Sequence, residues 1–234
     1  MVQELLEKRL CEAKFSRWFD HTGPAHYGKR GGKRYFKPKG WIRFSLNVPG
    51  GLERYRQWCV GYHGTDYKHA VSILSQGLQV PGTKGVLQQH GHAYNKANST
   101  IYTTPSIAYA AFPVYSKFFE LGCNHWGQLV FQCRVRPAAF VEKPGTLRGK
   151  GKYWPADLPF DENFHRDSPL EWLVSDPADI VLTGLMFREF GPPADPQVYG
   201  QLVCDVHADG RGPEYVWTDL LAKDMRTRLS GQRW

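Results

Sequence analysis

The sequence predicts an α+β fold, and three observations predict it. Strand-like apolar runs recur at 58–64, 101–104, 127–137, 170–174 and 179–187. Helical spacing falls in separate stretches, at 2–19, 66–77 and 217–229. The last two runs flank a short turn at Asp176-Pro177, which reads as an antiparallel hairpin. No internal repeat or low-complexity tract points to another architecture.

The 234 residues suit one domain of ordinary size, with or without an appendage. A net charge of +8 hints at an anionic partner such as a nucleic acid or a phosphate-bearing ligand. No apolar run approaches the ~18 residues of a membrane span. The charged, amphipathic N-terminus lacks the apolar core of a secretory signal. Five cysteines (11, 59, 123, 133 and 204) form no CxxC pair. That pattern fits reduced thiols in a cytoplasmic or nuclear protein.

Residues 2–19 read as a helix, with Leu5, Leu6, Leu10 and Trp18 along one side, ended by Gly23-Pro24. Residues 28–39 carry six cations and no anion: Lys29, Arg30, Lys33, Arg34, Lys37 and Lys39. Tyr35 and Phe36 lie among them. Two readings stand, a nucleic-acid-binding arm with phosphates on the cations and a base on a ring, or a solvated loop leading into a strand. The expected division is therefore an N-terminal helix and basic arm over 1–40 and a main domain over 41–234.

Trp41 to Val48 alternates apolar and polar residues, as a half-buried strand does. Trp58-Cys59-Val60-Gly61-Tyr62 is a short apolar run ending in His63-Gly64-Thr65. Asp66 to Gly77 follows as a helix, with Asp66 placed to cap it, Ala70, Ile73 and Leu74 on one face, and Gly77 at its end. His63, Gly64 and Thr65 thus stand at a strand end facing a helix start, where backbone N–H groups can hold ligands.

Residues 79–100 read as a long polar loop. His90 and His92 lack an acidic or Cys companion there, and Cys123, His125 and Cys133 lack a fourth ligand, so no metal site is expected. Ile101 to Thr104 reads as a strand. Pro105 would open a helix at its first turn, on which Ser106 and Tyr109 share a face. Residues 127–137 are the most strand-like run, and 142–169 are irregular. Leu170 to Val174 is a strand with Glu171 near its start. The tail holds a possible strand at 198–206 and a charged helix at 217–229.

Four motifs fall in order: His63-Gly64-Thr65, Ile101-Tyr102, Ser106-Ile107-Ala108-Tyr109 and Glu171-Trp172-Leu173-Val174. This order resembles the catalytic domain of the poly(ADP-ribose) polymerase-like ADP-ribosyltransferases, the group with a His–Tyr–Glu signature. The resemblance covers roughly residues 58–190. Departures are Ser99-Thr100 where a glycine often stands, a short gap from Tyr102 to Ser106, and Trp172 where a tyrosine is usual. The toxin-type transferases fit less well, since Pro169 removes their paired glutamate.

The resemblance implies two packed antiparallel sheets, a cleft between them that holds NAD as substrate, and helices on the flanks. It implies that Gly64 pairs with the nicotinamide carboxamide through its backbone, beside Thr65, and that Ser106 adds a hydroxyl. Tyr109 and Tyr102 would stack on the nicotinamide ring from either side, and His63 would bind the adenosine-side ribose. Glu171 would bind the other ribose and face the oxocarbenium-like transition state. The implied activity is transfer of ADP-ribose to a macromolecular acceptor, protein by default and nucleic acid possible. The competing expectation is a non-catalytic module that binds ADP-ribose or nucleic acid. RNA 2′-phosphate transfer needs paired Arg and His motifs that the sequence does not show.

Overall fold

The computed structural model describes residues 2–11, 16–20, 22, 24, 26–80, 100–112, 114–122, 125–146, 161, 163–165 and 167–190. The strand and helix expected in the tail, most of the 79–100 loop with His90 and His92, and Cys123 and Cys204 lie outside the described residues.

In chain order the elements are α1 (Val2–Arg9), β1 (Arg17–Phe19), β2 (His26–Arg30), β3 (Lys33–Phe36), β4 (Trp41–Ser45), β5 (Cys59–Gly64), α2 (Ala70–Gln76) and β6 (Ile101–Thr103). Then come α3 (Ile107–Ala110), β7 (Phe119–Gly122), β8 (His125–Val135), β9 (Phe140–Lys143), β10 (Glu171–Val174) and β11 (Ile180–Phe190). The architecture is α+β, with short helices and antiparallel sheets. A large sheet runs β1-β4-β11-β8-β5 with β7 beside β8, a small one runs β6-β10-β9, and β2 pairs with β3. Every strand pair is antiparallel. The large and small sheets meet where Tyr62 and Thr104 exchange backbone hydrogen bonds of 2.7 and 2.9 Å.

Strand alternation fixes which side chains enter the core. Ile42 and Phe44 of β4, Phe131 and Cys133 of β8, and Leu185 and Phe187 of β11 join Trp172 and Val174 of β10 in one buried cluster. Leu6 and Leu10 from the N-terminal segment and Leu74 from α2 belong to that same cluster. The intervening residues of the large sheet form a second cluster on its other face, with Trp41, Tyr62, Val130 and Met186 covered by Ala110 and Ala111. So β4 is buried on both faces rather than half-buried. The alternation at 41–48 was polar only at Arg43, Ser45 and Asn47, and a guanidinium can be buried when its donors are met. Those of Arg43 reach Gln132 Oε1, Ser45 Oγ and the Thr183 carbonyl at 2.7–2.8 Å.

Three expectations are corrected. The first helix ends at Arg9, not near 19. Asn47 takes over its last carbonyls, donating from Nδ2 to Lys8 O and Leu10 O, and Leu10 bridges to Leu46. Chain pairing thus stops a helix that the apolar spacing would have continued. Residues 170–174 and 179–187 are not a hairpin, because β10 lies in the small sheet and β11 in the large one. Between them Asp176 caps a 3-10 turn at Pro177–Asp179, accepting from Ala178 N at 2.8 Å. Arg136 pins the turn with a 3.0 Å ion pair to Asp179. The basic stretch is a β-hairpin rather than a loop. Its two-residue Gly31-Gly32 turn has φ of 58° and 81°, the backbone that the favoured hairpin turn requires. A side chain at Gly31 would stand 2.5 Å from Cys59 N, so the hairpin tip lies flat on the start of β5.

The helix read at 66–77 forms as a 3-10 turn at Tyr67–His69 running into α2. Asp66 Oδ1 accepts from Lys68 N at 3.1 Å, and Gly77 N–H returns to Ile73 O. Among the described residues no helix is long and apolar enough to cross a membrane. Cys11, Cys59 and Cys133 are thiols.

Candidate active site

The ends of β5, β6 and β10 lie side by side, joined through the Tyr62–Thr104 bridge and the Tyr102–Leu173 register. That adjacency brings together residues that stand over a hundred positions apart in sequence. His63 Nδ1 lies 2.8 Å from the Tyr102 carbonyl. A carbonyl only accepts, so Nδ1 carries the proton and the ring orientation is fixed.

Glu171 opens β10 and is only 4% exposed. Its Oε1 accepts three hydrogen bonds: from Tyr109 OH at 2.7 Å, Thr146 N at 2.9 Å and Thr146 Oγ1 at 2.7 Å. Three donors on one oxygen hold the carboxylate in a single orientation. The Tyr109 ring is 3% exposed and packs with Leu170, Phe112, Tyr115 and Phe164. Burial, then the neighbouring Tyr115 and Glu171, push its phenol far above the ordinary tyrosine range. At neutral pH Tyr109 is therefore protonated and donates to Glu171. The Tyr115 hydroxyl stands 3.4 Å from Tyr109 OH and 3.3 Å from Thr146 Oγ1, closing the network.

Ser106 is fully buried and is the N-cap of α3, not a residue within it. Its Oγ accepts from Tyr109 N at 3.1 Å and donates to Asp161 Oδ2 at 2.7 Å. Pro105 accordingly precedes the helix instead of opening it. A cap of this kind contributes about 1 kcal/mol.

Gly64 stands where α3 crosses the end of β5. A Cβ there would overlap the Ala110 carbonyl and lie 2.9 Å from Tyr115 Cβ. Packing alone thus demands glycine at this position. Thr65 is buried next to it, and Tyr102 is half-buried on the strand beside it.

The predicted residues therefore fall into two groups that share one corner of the molecule. Tyr109, Ser106 and Glu171 are joined by hydrogen bonds through α3. His63 and Tyr102 are joined across the two sheets. Tyr109 was expected to present a ring face to a ligand, and here its ring is buried and its hydroxyl is spent on Glu171. Tyr115, Thr146 and Asp161 were missed. Tyr115 lies in an aromatic stretch that gave no period, and Thr146 and Asp161 lie in a segment that read only as irregular. No local signal marks them, since each acquires its role only through a contact with a residue distant in sequence or on another element.

The six basic residues separate as well. Lys33 binds Glu142 at 2.7 Å, and Lys37, nearly buried, pairs with Asp20. Lys29, Arg30 and Arg34 are exposed on the hairpin, and Lys39 is half-buried in the turn that leads into β4. No group of three or more His, Cys, Asp or Glu residues able to hold a metal occurs among the described residues.

No family model matches the chain, and no curated protein matches it.

Proposed function

We propose that the chain transfers ADP-ribose from NAD to a macromolecular acceptor and releases nicotinamide, on an ADP-ribosyltransferase-like fold. The observation that carries this reading is the oriented carboxylate of Glu171, held by Tyr109 where two antiparallel sheets meet, with Tyr102 on the neighbouring strand β6 and His63 hydrogen-bonded to its carbonyl. In the proposed reaction the nicotinamide–ribose C–N bond breaks, and nicotinamide leaves with its electron pair. The anomeric carbon develops oxocarbenium character, and an acceptor nucleophile adds to it and passes its proton to the Glu171 carboxylate. Glu171 supplies negative charge and a ribose hydroxyl acceptor. His63 orients the adenosine-side ribose, and the backbone of Gly64 receives the carboxamide. The thiol pattern goes with a cytoplasmic or nuclear location.

A second reading has its own support. Thr146 occupies Glu171 Oε1 and Asp161 occupies Ser106 Oγ, so two groups assigned to NAD are already engaged by the protein. A non-catalytic module that binds ADP-ribose or nucleic acid would tolerate this. Incubation with NAD and measurement of free nicotinamide separates the two. Steady release that depends on Glu171 supports the enzyme, and NAD or ADP-ribose binding without release supports the module.

A further inference from the structure

The β2–β3 hairpin is built against its own electrostatics. Its register sets Lys29 opposite Arg34 and Arg30 opposite Lys33. Like charges directly opposed across a strand pair destabilise it. Of these four, only Lys33 has a carboxylate partner among the described residues. Arg17 joins them from β1, donating to Tyr27 OH at 2.9 Å and lying over the Tyr27 ring.

Beneath the hairpin the charge continues inward. Arg43 and Arg134 are both held by neutral acceptors: Gln132, Ser45, the Thr183 carbonyl and the Trp58 carbonyl. Burial lowers the pKa of both guanidinium groups, and nearby arginines, Arg17 for the first and Arg30 for the second, lower it further. Glu142 offsets Lys33, and the remaining cations raise the potential at the exposed face. A hairpin selected for stability alone would carry alternating signs. No carboxylate among the described residues pairs with Lys29 or Arg34.

We propose that the exposed cations of this hairpin and of β1 dock a single-stranded nucleic acid, Lys29 and Arg34 from one face of the ribbon, and Arg30 with Arg17 from the other. Guanidinium forks match phosphate oxygens, and the aromatic rings among the cations suit base stacking. Tyr27 is half-buried and His26 exposed on the same hairpin. The surface stands apart from the donor-site reading and does not rest on it. It is nevertheless close to that corner, because Phe36 of β3 meets Phe164 at 5.0 Å, and Phe164 packs with Tyr109. A docked strand would run beside the candidate cleft.

The test is fluorescence anisotropy of the full chain with labelled single-stranded DNA and RNA oligonucleotides at several salt concentrations. Four phosphate contacts give a log–log salt slope of about −2.8, so affinity should fall roughly fifty-fold between 50 and 200 mM salt. The triple variant Lys29→Ser/Arg30→Ser/Arg34→Ser should bind at least tenfold more weakly, with a slope shallower by about 2. Lys8→Ser on α1 should leave binding unchanged. Removing opposed like charges should leave Tm equal or higher, and a lower Tm would overturn the account of the hairpin as electrostatically strained. If the triple variant does not fold, Arg30→Gln alone should still lose affinity and reduce the slope by about 0.7. Absence of oligonucleotide binding at low salt overturns the proposal, as does equal binding by wild type and variant. So does a polyglutamate peptide that competes as well as the oligonucleotide, which would indicate an acidic protein partner. Nicotinamide release without acceptor, measured in parallel, should be unchanged in the variant. Its absence in wild type would count against the donor-site reading and not against the docking surface.

Discussion

Tyr109 donates a 2.7 Å hydrogen bond to Oε1 of Glu171, tying the short helix α3 to the central strand of the small sheet across 62 residues of chain. The pair links the Ser106-to-Tyr109 motif to the Glu171 motif. It also converts the expected stacking residue into one that holds the carboxylate.

Replacing Glu171 by Gln removes the charge while keeping an oxygen for Tyr109 and Thr146. Nicotinamide release should fall about a hundredfold or more, with NAD affinity and thermal stability little changed. Undiminished release from the pure variant would show that Glu171 is not the catalytic carboxylate.

Tyr109→Phe deletes only the hydroxyl. A hydrogen bond to a charged group contributes about 1.5–3 kcal/mol, so Tm should drop measurably. If the phenol orients Glu171 for chemistry, kcat should fall with KM nearly constant. Tyr109→Ala is less informative, because emptying a buried ring site costs about 3–5 kcal/mol by itself. A Phe variant with full kcat and reduced Tm would make the pair purely structural.

Gly64→Ala tests the packing of α3. The added methyl overlaps the Ala110 carbonyl, and an overpacked site of this kind costs about 1–3 kcal/mol or more. Gly61→Ala is the contrast, since its methyl would meet Thr103 Oγ1 and Trp172 at an ordinary 3.5 Å. Urea midpoints should separate the two clearly. Equal midpoints would mean that α3 can move away from β5 freely.

Alkaline pH should expose the buried phenols. Burial raises the pKa of Tyr62 and of Tyr109 well above the ordinary 10.0. The folded state therefore keeps protons that the unfolded chain releases. The stability these groups contribute is whole below the unfolded value and is lost as pH rises above it. The slope is about 1.4 kcal/mol per pH unit for each group. The Tyr62 hydroxyl lies by Gln132 and Tyr35 without a hydrogen bond of proper geometry. Tyr62→Phe should thus cost little at neutral pH and flatten the loss above pH ~10. Urea unfolding from neutral to strongly alkaline pH measures both, and an unchanged alkaline slope would contradict the burial of the phenol.

Much of the chain was legible because its determinants are local. The cap at Asp66 and the apolar face of α2 use residues within a turn or two of one another. So do the 3-10 turn after Asp176 and the long strand through Leu129 to Val135. The sequence by itself also placed His63 at a strand end, Glu171 near a strand start and Tyr109 on a short helix. What it left open is what each side chain meets. Two adjacent strand runs looked like a hairpin, yet β10 and β11 went to different sheets, because alternation sets which face is buried and not which strand lies alongside. The first helix was cut short by Asn47, 37 residues beyond Leu10. Six basic residues looked equivalent until Glu142 and Asp20 took two of them. Thr146 and Asp161 carried no pattern at all. Periodicity and capping are one-dimensional signals, whereas pairing between sheets, close approach at Gly64 and three donors on one carboxylate oxygen are long-range contacts, and these only the folded chain decides.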